Sequence, residues 1–274
     1  MIRIKRAFSC LLSFSIVMSQ INAMDADQSY VAAGENSENQ ADGPYIINDI
    51  LPAIQEASCT PENVEPGSFL SLLQRKPRMR LGIDIDGTIA NTQDVIIDLY
   101  NREFGSNVQL TDVAQYPLEK LLVVLENSLS DSNYSHYSDC PAFRKIELAI
   151  YENVKPFPYA TECLRKLATQ HNIYFLSARM EKDIQLQVTK DWLTKHGFPF
   201  NGNNLYIGVN NKGRFAKFLE LDLMIEDEPV HLDNLHSAGI PIVAFDASYN
   251  RDYSNQHYRI LSWKECYEQL KHND

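Results

Sequence analysis

From residue 80 onward, short apolar runs alternate with segments of helical periodicity. The runs are rich in Ile, Leu, Val and aromatic residues and have the length of β-strands, at residues 80–85, 172–178, 204–209, 222–226 and 240–245. Helix-like segments lie at residues 160–170, 181–197, 212–221 and 229–239. This alternation predicts an α/β domain, in which helices cover both faces of a parallel sheet.

The connection between the first apolar run and the second is much longer than the others, since it spans residues 86–171. Helical periodicity recurs inside it, at residues 95–104, 117–129 and 142–154. A connection of this length with helices of its own is typical of an inserted domain rather than a loop. We therefore expect a small helical cap over residues 93–157, which begins just after the first strand and can stand over its carboxyl end as a lid.

Polar side chains stand at or just after the ends of four of the apolar runs, where a parallel sheet gathers its ligands. These side chains are Asp84 and Asp86, Ser177, Lys212, Glu226 and Asp227. Neighbouring carboxylates repel one another and are costly to bury, so a cation belongs among them. Magnesium suits such a site, because it binds one or two carboxylates together with the phosphate oxygens of a substrate.

The same residue types can transfer a phosphoryl group to water. A carboxylate beside a bound cation can attack phosphorus and form an aspartyl-phosphate. A second carboxyl two residues later can protonate the leaving oxygen and then activate water. A serine hydroxyl and a lysine ammonium can hold the phosphoryl oxygens while charge develops. These residues therefore predict an enzyme that hydrolyses phosphate esters.

The segments that carry these residues resemble the four motifs of the haloacid dehalogenase superfamily of phosphohydrolases. They read DIDGTIANT, IYFLSAR and NNKGRFAKFLELDLMIEDEP, and the likeness covers roughly residues 80–246. The resemblance implies a Rossmann-like core at residues 80–92 and 158–274 that binds Mg²⁺. It also implies phosphatase chemistry, because dehalogenase members of the superfamily lack an aspartate at the position of Asp86.

The resemblance also implies a role for each matched residue. Asp84 would be the nucleophile and Asp86 the general acid and base. The metal ligands would be Asp84, Asp86 through its main-chain carbonyl, and Asp227. Ser177 and Lys212 would bind the substrate phosphate, although Ser177 can alternatively cap the helix that follows it.

The sequence leaves two interpretations open for each of four further residue assignments. Thr88 can donate to a phosphate oxygen or cap the turn after the first strand. Arg179 can reach the substrate, but a structural ion pair is favoured. Lys217 competes with Lys212 for the role of the phosphate-binding lysine, and Lys212 is preferred. Glu226 stands where the family often has an aspartate, so it is either an outer partner of the metal site or an outer ligand.

A narrower resemblance links the chain to the 5′-nucleotidase, deoxy, type C group and its bacterial relatives. It rests on KPFPYATECLRKLATQHNIYFLSAR and VTKDWLTKHGFPF. It implies a small helical cap and a small phosphorylated substrate, foremost a nucleoside monophosphate. The alternatives are a phosphatase of sugar phosphates or phosphoproteins, and a non-catalytic protein that binds phosphate or metal.

The amino-terminal part differs in composition from the rest of the chain. Residues 1–23 have the cationic, apolar and polar parts of a secretory signal peptide, which predicts an exported protein, periplasmic or secreted. The alternative is a cytoplasmic protein that starts at Met24. Residues 24–79 resemble a polar leader with short helices. No apolar run is long enough to span a bilayer. The net charge of −11 argues against a nucleic acid polymer as a partner.

Overall fold

The computed structural model describes residues 78–109, 141–180, 183–251, 253 and 258–272. The elements of this part are β1 (Arg80–Asp84), α1 (Thr92–Phe104), α2 (Pro141–Asn153), α3 (Ala160–Gln170), β2 (Asn172–Leu176), α4 (Asp183–Lys195), β3 (Leu205–Tyr206), α5 (Lys212–Phe218), β4 (Leu223–Glu226), α6 (Pro229–Ser237), β5 (Ile242–Phe245), a 3₁₀ turn (Ser248–Asn250), β6 (Tyr258–Ile260) and α7 (Trp263–Leu270). None of the described helices is both long enough and apolar enough to cross a membrane. The signal peptide, the leader and the helix at residues 117–129 lie outside the described residues and stay predictions.

The described strands form one six-stranded parallel sheet in the order β3-β2-β1-β4-β5-β6. This is the strand order of a Rossmann-like, doubly wound sheet. The order reverses between β1 and β4, which pair through Leu81 with Leu223 and Ile83 with Ile225. Ligands of such sheets bind in the crevice at this reversal, outside the carboxyl ends of the strands. The predicted fold class is confirmed.

Helices cover both faces of the sheet. Successive strand residues point to opposite sides, so the apolar side chains of a strand need a helix layer on each side. On one face, Ile83 and Ile225 pack with Leu164 of α3 and Trp263 of α7. On the other face, Met224 joins a second cluster that includes residues of α5 and α6. The strands β1, β4 and β5 are therefore buried on both faces over almost their whole length, which explains why they are continuous apolar runs in the sequence.

The predicted strands and the observed strands differ mainly at the edges of the sheet. β3 contains two residues, although the apolar run covers residues 204–209, because the chain turns at Gly208 with a φ of 76°. The sequence does not predict β6 or α7. β6 has three residues, of which one is buried, so its pattern is too short to read. α7 has eight residues and is capped by Ser262, whose side chain accepts from the N–H of Glu265.

Two described helices, α1 and α2, belong to the predicted insertion. α1 is capped at its C-terminus by Gly105, which adopts a left-handed conformation with a φ of 60°. Apolar residues of both helices, Ile97 and Ile150 among them, pack with Ala247 and Tyr249 from the connection after β5. The insertion therefore lies against the chain that follows a carboxyl end of the sheet. This is the side on which the sequence predicts a lid.

Candidate active site

Asp84 ends β1, and its side chain is buried against an ammonium group. One oxygen, Oδ1, accepts a hydrogen bond from Lys212 Nζ. Lys212 is the first residue of α5, and its Nζ also donates to Glu226 Oε2 at 2.7 Å. Among the residues that the structure describes, none donates to Asp84 Oδ2. Asp84 is therefore held by one oxygen while the other is available to a ligand.

Asp84 and Glu226 share a single cation, Lys212, and this excess of negative charge shifts the pKa values of the group. Burial raises the pKa of Asp84 well above its usual value, and the negative charge of Glu226 raises it further, while Lys212 opposes both. Burial lowers the pKa of Lys212, but Asp84 and Glu226 outweigh it and raise the pKa above its ordinary value. Lys212 is thus a permanent cation. Lys217, the other candidate, is exposed on the same helix.

Glu226, whose role the sequence leaves open, is fully engaged by the protein. Its Oε2 accepts from Lys212, and its Oε1 accepts from the N–H groups of Asp227 at 3.1 Å and Glu228 at 3.0 Å. The longer glutamate arm folds back onto the chain that follows β4. This arrangement suits an outer partner that fixes Lys212 rather than a residue free to turn toward a ligand.

Asp227 is held by three side chains that come from distant parts of the chain. Its Oδ1 accepts from Thr88 Oγ1 at 2.7 Å, and its Oδ2 accepts from Gln93 Nε2 at 3.2 Å and from the Tyr249 hydroxyl. Asn250 Nδ2 donates to the Asp227 main-chain carbonyl at 2.7 Å. A hydroxyl has one proton, so Thr88 cannot donate to a phosphate while it donates to Asp227. Burial, then the charge of Glu226, raises the pKa of Asp227 to about 8.

Sequence reasoning did not find Gln93, Tyr249 and Asn250. Amides and tyrosines carry no distinctive spacing, and these residues meet Asp227 only because the chain after β5 and the first turn of α1 lie over the end of β4. The one local signal is Gly87, whose φ of 84° favours glycine. A Cβ there would lie 2.2 Å from Asp227 Oδ2, so glycine lets the β1 connection approach that carboxylate.

Asp84 and Asp227, with Glu226 beside them, gather the carboxylate oxygens and the negative charge that suit a hard metal ion. One oxygen of each lies within 4.8 Å of the others, and all three residues are buried. Carboxylate oxygens are the ligands that Mg²⁺ prefers. The raised pKa values of Asp84 and Asp227 reflect buried negative charge that Lys212 alone does not offset, and a dication would offset it. The donor set and the charge therefore both suit Mg²⁺.

Ser177 follows β2 at the same edge of the sheet and is buried. Its Oγ accepts from the N–H of Arg179 at 3.1 Å, inside the turn after β2 rather than from α4. Its own proton has no acceptor among the described residues, so the hydroxyl can donate to an oxygen of a ligand.

The carboxylate of Asp86 lies outside the acidic group and is bound by a cation. Arg179 Nε and Nη2 donate to its two oxygens at 2.7 and 2.8 Å. The sequence favours a structural ion pair for Arg179, and the structure pairs this side chain with a carboxylate. Its partner is the residue predicted to be the general acid and base.

Comparison with known proteins identifies the family. The family model described as 5′ nucleotidase, deoxy (Pyrimidine), cytosolic type C protein matches residues 78–272, more than two thirds of the chain. The chain belongs to this family. As a type C 5′-nucleotidase family member, it is a hydrolase of the haloacid dehalogenase superfamily, and both resemblances seen in the sequence are confirmed. The enzyme class predicted from the strand-end residues, a phosphatase, is confirmed with them.

Individual relatives cover a similar share of the chain. A nucleotidase of Clostridium acetobutylicum is 31% identical over 193 residues, which are 69% of this chain and 92% of that protein. A Bacillus cereus relative is 29% identical over 196 residues, 70% of this chain and 98% of its own length. Among solved structures, a hydrolase of the haloacid dehalogenase-like family from Streptococcus pneumoniae gives a TM-score of 0.48 at 14% identity, and covers 71% of this chain and 99% of that one.

Proposed function

We propose that this protein hydrolyses small phosphomonoesters, foremost nucleoside monophosphates, with Mg²⁺ and through an aspartyl-phosphate on Asp84. The observation that carries the proposal is the state of Asp84. One of its oxygens is fixed by Lys212, and the other has no donor among the described residues. A nucleophile needs this combination, because it must be oriented and still have an oxygen available for attack.

In the first step, Asp84 Oδ2 attacks phosphorus, a new P–O bond forms, and the bond from phosphorus to the leaving oxygen breaks. Asp86 gives its proton to that oxygen, so the product leaves as an alcohol. Lys212 and the Ser177 hydroxyl hold the phosphoryl oxygens and offset the charge that develops on them. The fixed position of Lys212 comes from Glu226, which accepts from its ammonium at 2.7 Å.

In the second step, water attacks the phosphorus of the aspartyl-phosphate. Asp86, now a carboxylate, takes a proton from this water, inorganic phosphate leaves, and Asp84 is restored. Mg²⁺ would be held by Asp84, Asp227 and the main-chain carbonyl of Asp86. There it would supply positive charge that offsets the negative charge of the phosphate and of the nucleophile. Thr88, Gln93 and Tyr249 hold Asp227 in the orientation that a ligand needs, as partners of metal ligands do elsewhere.

The proposed substrate class is supported by the family and by the name nucleotidase that the Clostridium acetobutylicum relative carries. The negative net charge of the chain also favours a small substrate over a nucleic acid polymer, because an acidic surface repels a polyanion. The insertion lies beside the site, so its side chains would meet the group attached to the phosphate. Sugar phosphates and phosphopeptides are the competing substrates.

The test compares the wild-type protein with Asp84→Asn and with a matched control, Asp191→Asn, on the exposed side of α4. We expect Asp84→Asn to abolish hydrolysis of an aryl phosphate and of nucleoside monophosphates, while the control keeps full activity. EDTA should abolish activity reversibly. Near-full activity of Asp84→Asn would disprove the mechanism, and a wild-type protein that binds phosphate without turnover would support the non-catalytic alternative. Faster turnover of sugar phosphates or phosphopeptides would change the substrate class.

A further inference from the structure

Arg179 is buried between two groups, Asp86 on one side and Tyr151 of the insertion on the other. Its side chain is 1% exposed, whereas that of Asp86 is 30% exposed. Nε donates to Asp86 Oδ2 at 2.7 Å and Nη2 to Asp86 Oδ1 at 2.8 Å. A guanidinium that donates two parallel hydrogen bonds fixes the plane of a carboxyl group as well as its position. The orientation of Asp86 is therefore set by Arg179.

Arg179 is itself held on two further sides. Its Nη1 donates to Thr189 Oγ1 at 3.0 Å, and Thr189 is fixed in α4 by a hydrogen bond to the carbonyl of Gln185 at 2.6 Å. The ring of Tyr151, from α2 of the insertion, covers the guanidinium at 3.8 Å from Cζ. The Tyr151 hydroxyl donates to Glu147 Oε1 at 3.0 Å on the same helix. The core thus anchors the guanidinium, and the insertion covers it.

We propose that Arg179 is a positioning residue for proton transfer by Asp86, and that Tyr151 makes this positioning depend on the insertion. The inference rests on the proposed function, because it assigns Asp86 the proton transfer. Burying an arginine is unfavourable unless its charge is paired, and Arg179 is paired with Asp86 and covered by Tyr151. The insertion would then contribute to the chemical step as well as to the choice of substrate.

A positioning role and a structural role differ in which substrates they affect. A general acid matters greatly when the leaving group is a poor one, such as the alkoxide of a nucleoside. It matters little for p-nitrophenolate, which leaves without a proton. A misplaced Asp86 therefore slows nucleotide hydrolysis selectively, whereas a loosened fold slows both reactions alike. The value of kcat/KM isolates this step, because it reports events up to the formation of the aspartyl-phosphate.

The experiment measures kcat/KM for a nucleoside 5′-monophosphate and for p-nitrophenyl phosphate with Arg179→Met, Arg179→Lys and Tyr151→Leu. We expect Arg179→Met to lose about 100-fold on the nucleotide and less than about 5-fold on the aryl ester, since misplacement of a catalytic group costs about that much. Arg179→Lys should recover part of the loss. Tyr151→Leu should lose about 10-fold on the nucleotide by weakening the same arrangement.

The matched controls are Arg80→Met and Tyr174→Leu. Arg80 also lies over a tyrosine ring, that of Tyr174 at 5.0 Å, and its Nε donates to a main-chain carbonyl at 2.8 Å, but it lies at the opposite end of β1 from Asp84. Both controls should leave the ratio of the two kcat/KM values unchanged. In an Asp86→Asn background, Arg179→Met should add almost no further loss on the nucleotide, because the group it positions is already inactive.

Thermal unfolding of each variant identifies any that does not fold, and Arg179→Lys and Tyr151→Leu then carry the test. An unchanged ratio in the Arg179 variants, or full additivity with Asp86→Asn, would overturn the inference while leaving the proposed function intact. A wild-type protein that hydrolyses neither ester would overturn the proposed function and the inference together.

Discussion

Lys212→Met tests the electrostatic balance of the site. The ammonium of Lys212 lies between Asp84 and Glu226, and the side chains of the three residues are 1%, 5% and 0% exposed. Methionine keeps most of the side-chain length and removes the charge. The variant therefore leaves two buried carboxylates without the cation that they share.

The expected size of the effect follows from the burial. Removing one partner of a buried ion pair costs about 3–5 kcal/mol, because a charge stays buried without compensation. Lys212 serves two carboxylates, so we expect the unfolding free energy at pH 7, in EDTA, to fall by about 4 kcal/mol. The matched control is Lys217→Met, an exposed lysine on the same helix. Surface changes of this kind usually stay within about 0.5 kcal/mol.

The loss should shrink as the pH falls. Burial already raises the pKa of Asp84, and Lys212 opposes the rise, so the variant raises this pKa further. The folded variant then binds a proton at a pH where the unfolded chain does not, and its unfolding free energy increases on acidification. We therefore expect a smaller difference from wild type at pH 5 than at pH 7.

The assay is urea unfolding followed by tryptophan fluorescence, for which the buried Trp192 and Trp263 are suitable probes. Wild type, Lys212→Met and Lys217→Met are compared at both pH values, with EDTA throughout. If Lys212→Met were no less stable than Lys217→Met at pH 7, the buried ion pairs would not stabilise the protein as argued. A loss that grew on acidification would contradict the sign of the pKa argument.

Three further predictions concern Asp227 and its surroundings. Burial and Glu226 raise the pKa of Asp227 to about 8, so its contribution to stability is full below about pH 4 and is lost as the pH rises through 8. Thermal unfolding in EDTA should therefore occur at a lower temperature at pH 8 than at pH 5. Added Mg²⁺ should raise the unfolding temperature more at pH 8 than at pH 5. Tyr249→Phe removes a hydrogen bond to Asp227 and should weaken Mg²⁺ binding about 10-fold by calorimetry. Tyr253→Phe should leave Mg²⁺ binding unchanged, because the Tyr253 hydroxyl donates to Asp233 instead. Gly87→Ala places a Cβ 2.2 Å from Asp227 Oδ2, so it should lower the unfolding free energy by about 1–3 kcal/mol and reduce Mg²⁺ binding. The control is Gly105→Ala, which has a similar backbone conformation and open space around it. It should cost less than about 1 kcal/mol and leave Mg²⁺ binding unchanged.

The central part of the fold can be predicted from sequence because its strands are buried on both faces. β1, β2, β4 and β5 are continuous apolar runs, and such runs survive in the sequence as a readable pattern. The edge strand β6 is too short for any pattern. Its place depends on pairing with β5 and not on its own composition.

The candidate site can be predicted to the extent that its residues end predicted strands. Asp84 and Asp227 come together because β1 and β4 are neighbours, and Lys212 joins them from the first position of α5. The contacts of Gln93 and Tyr249 with Asp227, and the pairing of Arg179 with Asp86, cannot be found this way. The paired residues are separated by tens to more than a hundred residues and are ordinary side chains, so only the packing of the insertion and of the chain after β5 defines them.

Capture of the covalent intermediate tests the central claim most directly. Wild type, Asp84→Asn and Asp86→Asn are mixed with p-nitrophenyl phosphate and Mg²⁺, quenched in acid, digested and analysed by mass spectrometry. The mechanism predicts a phosphorylated peptide that contains Asp84 in wild type, more of it in Asp86→Asn, because that variant cannot activate water, and none in Asp84→Asn. Turnover of the aryl phosphate without any such adduct, or with the phosphate on another residue, would contradict the account.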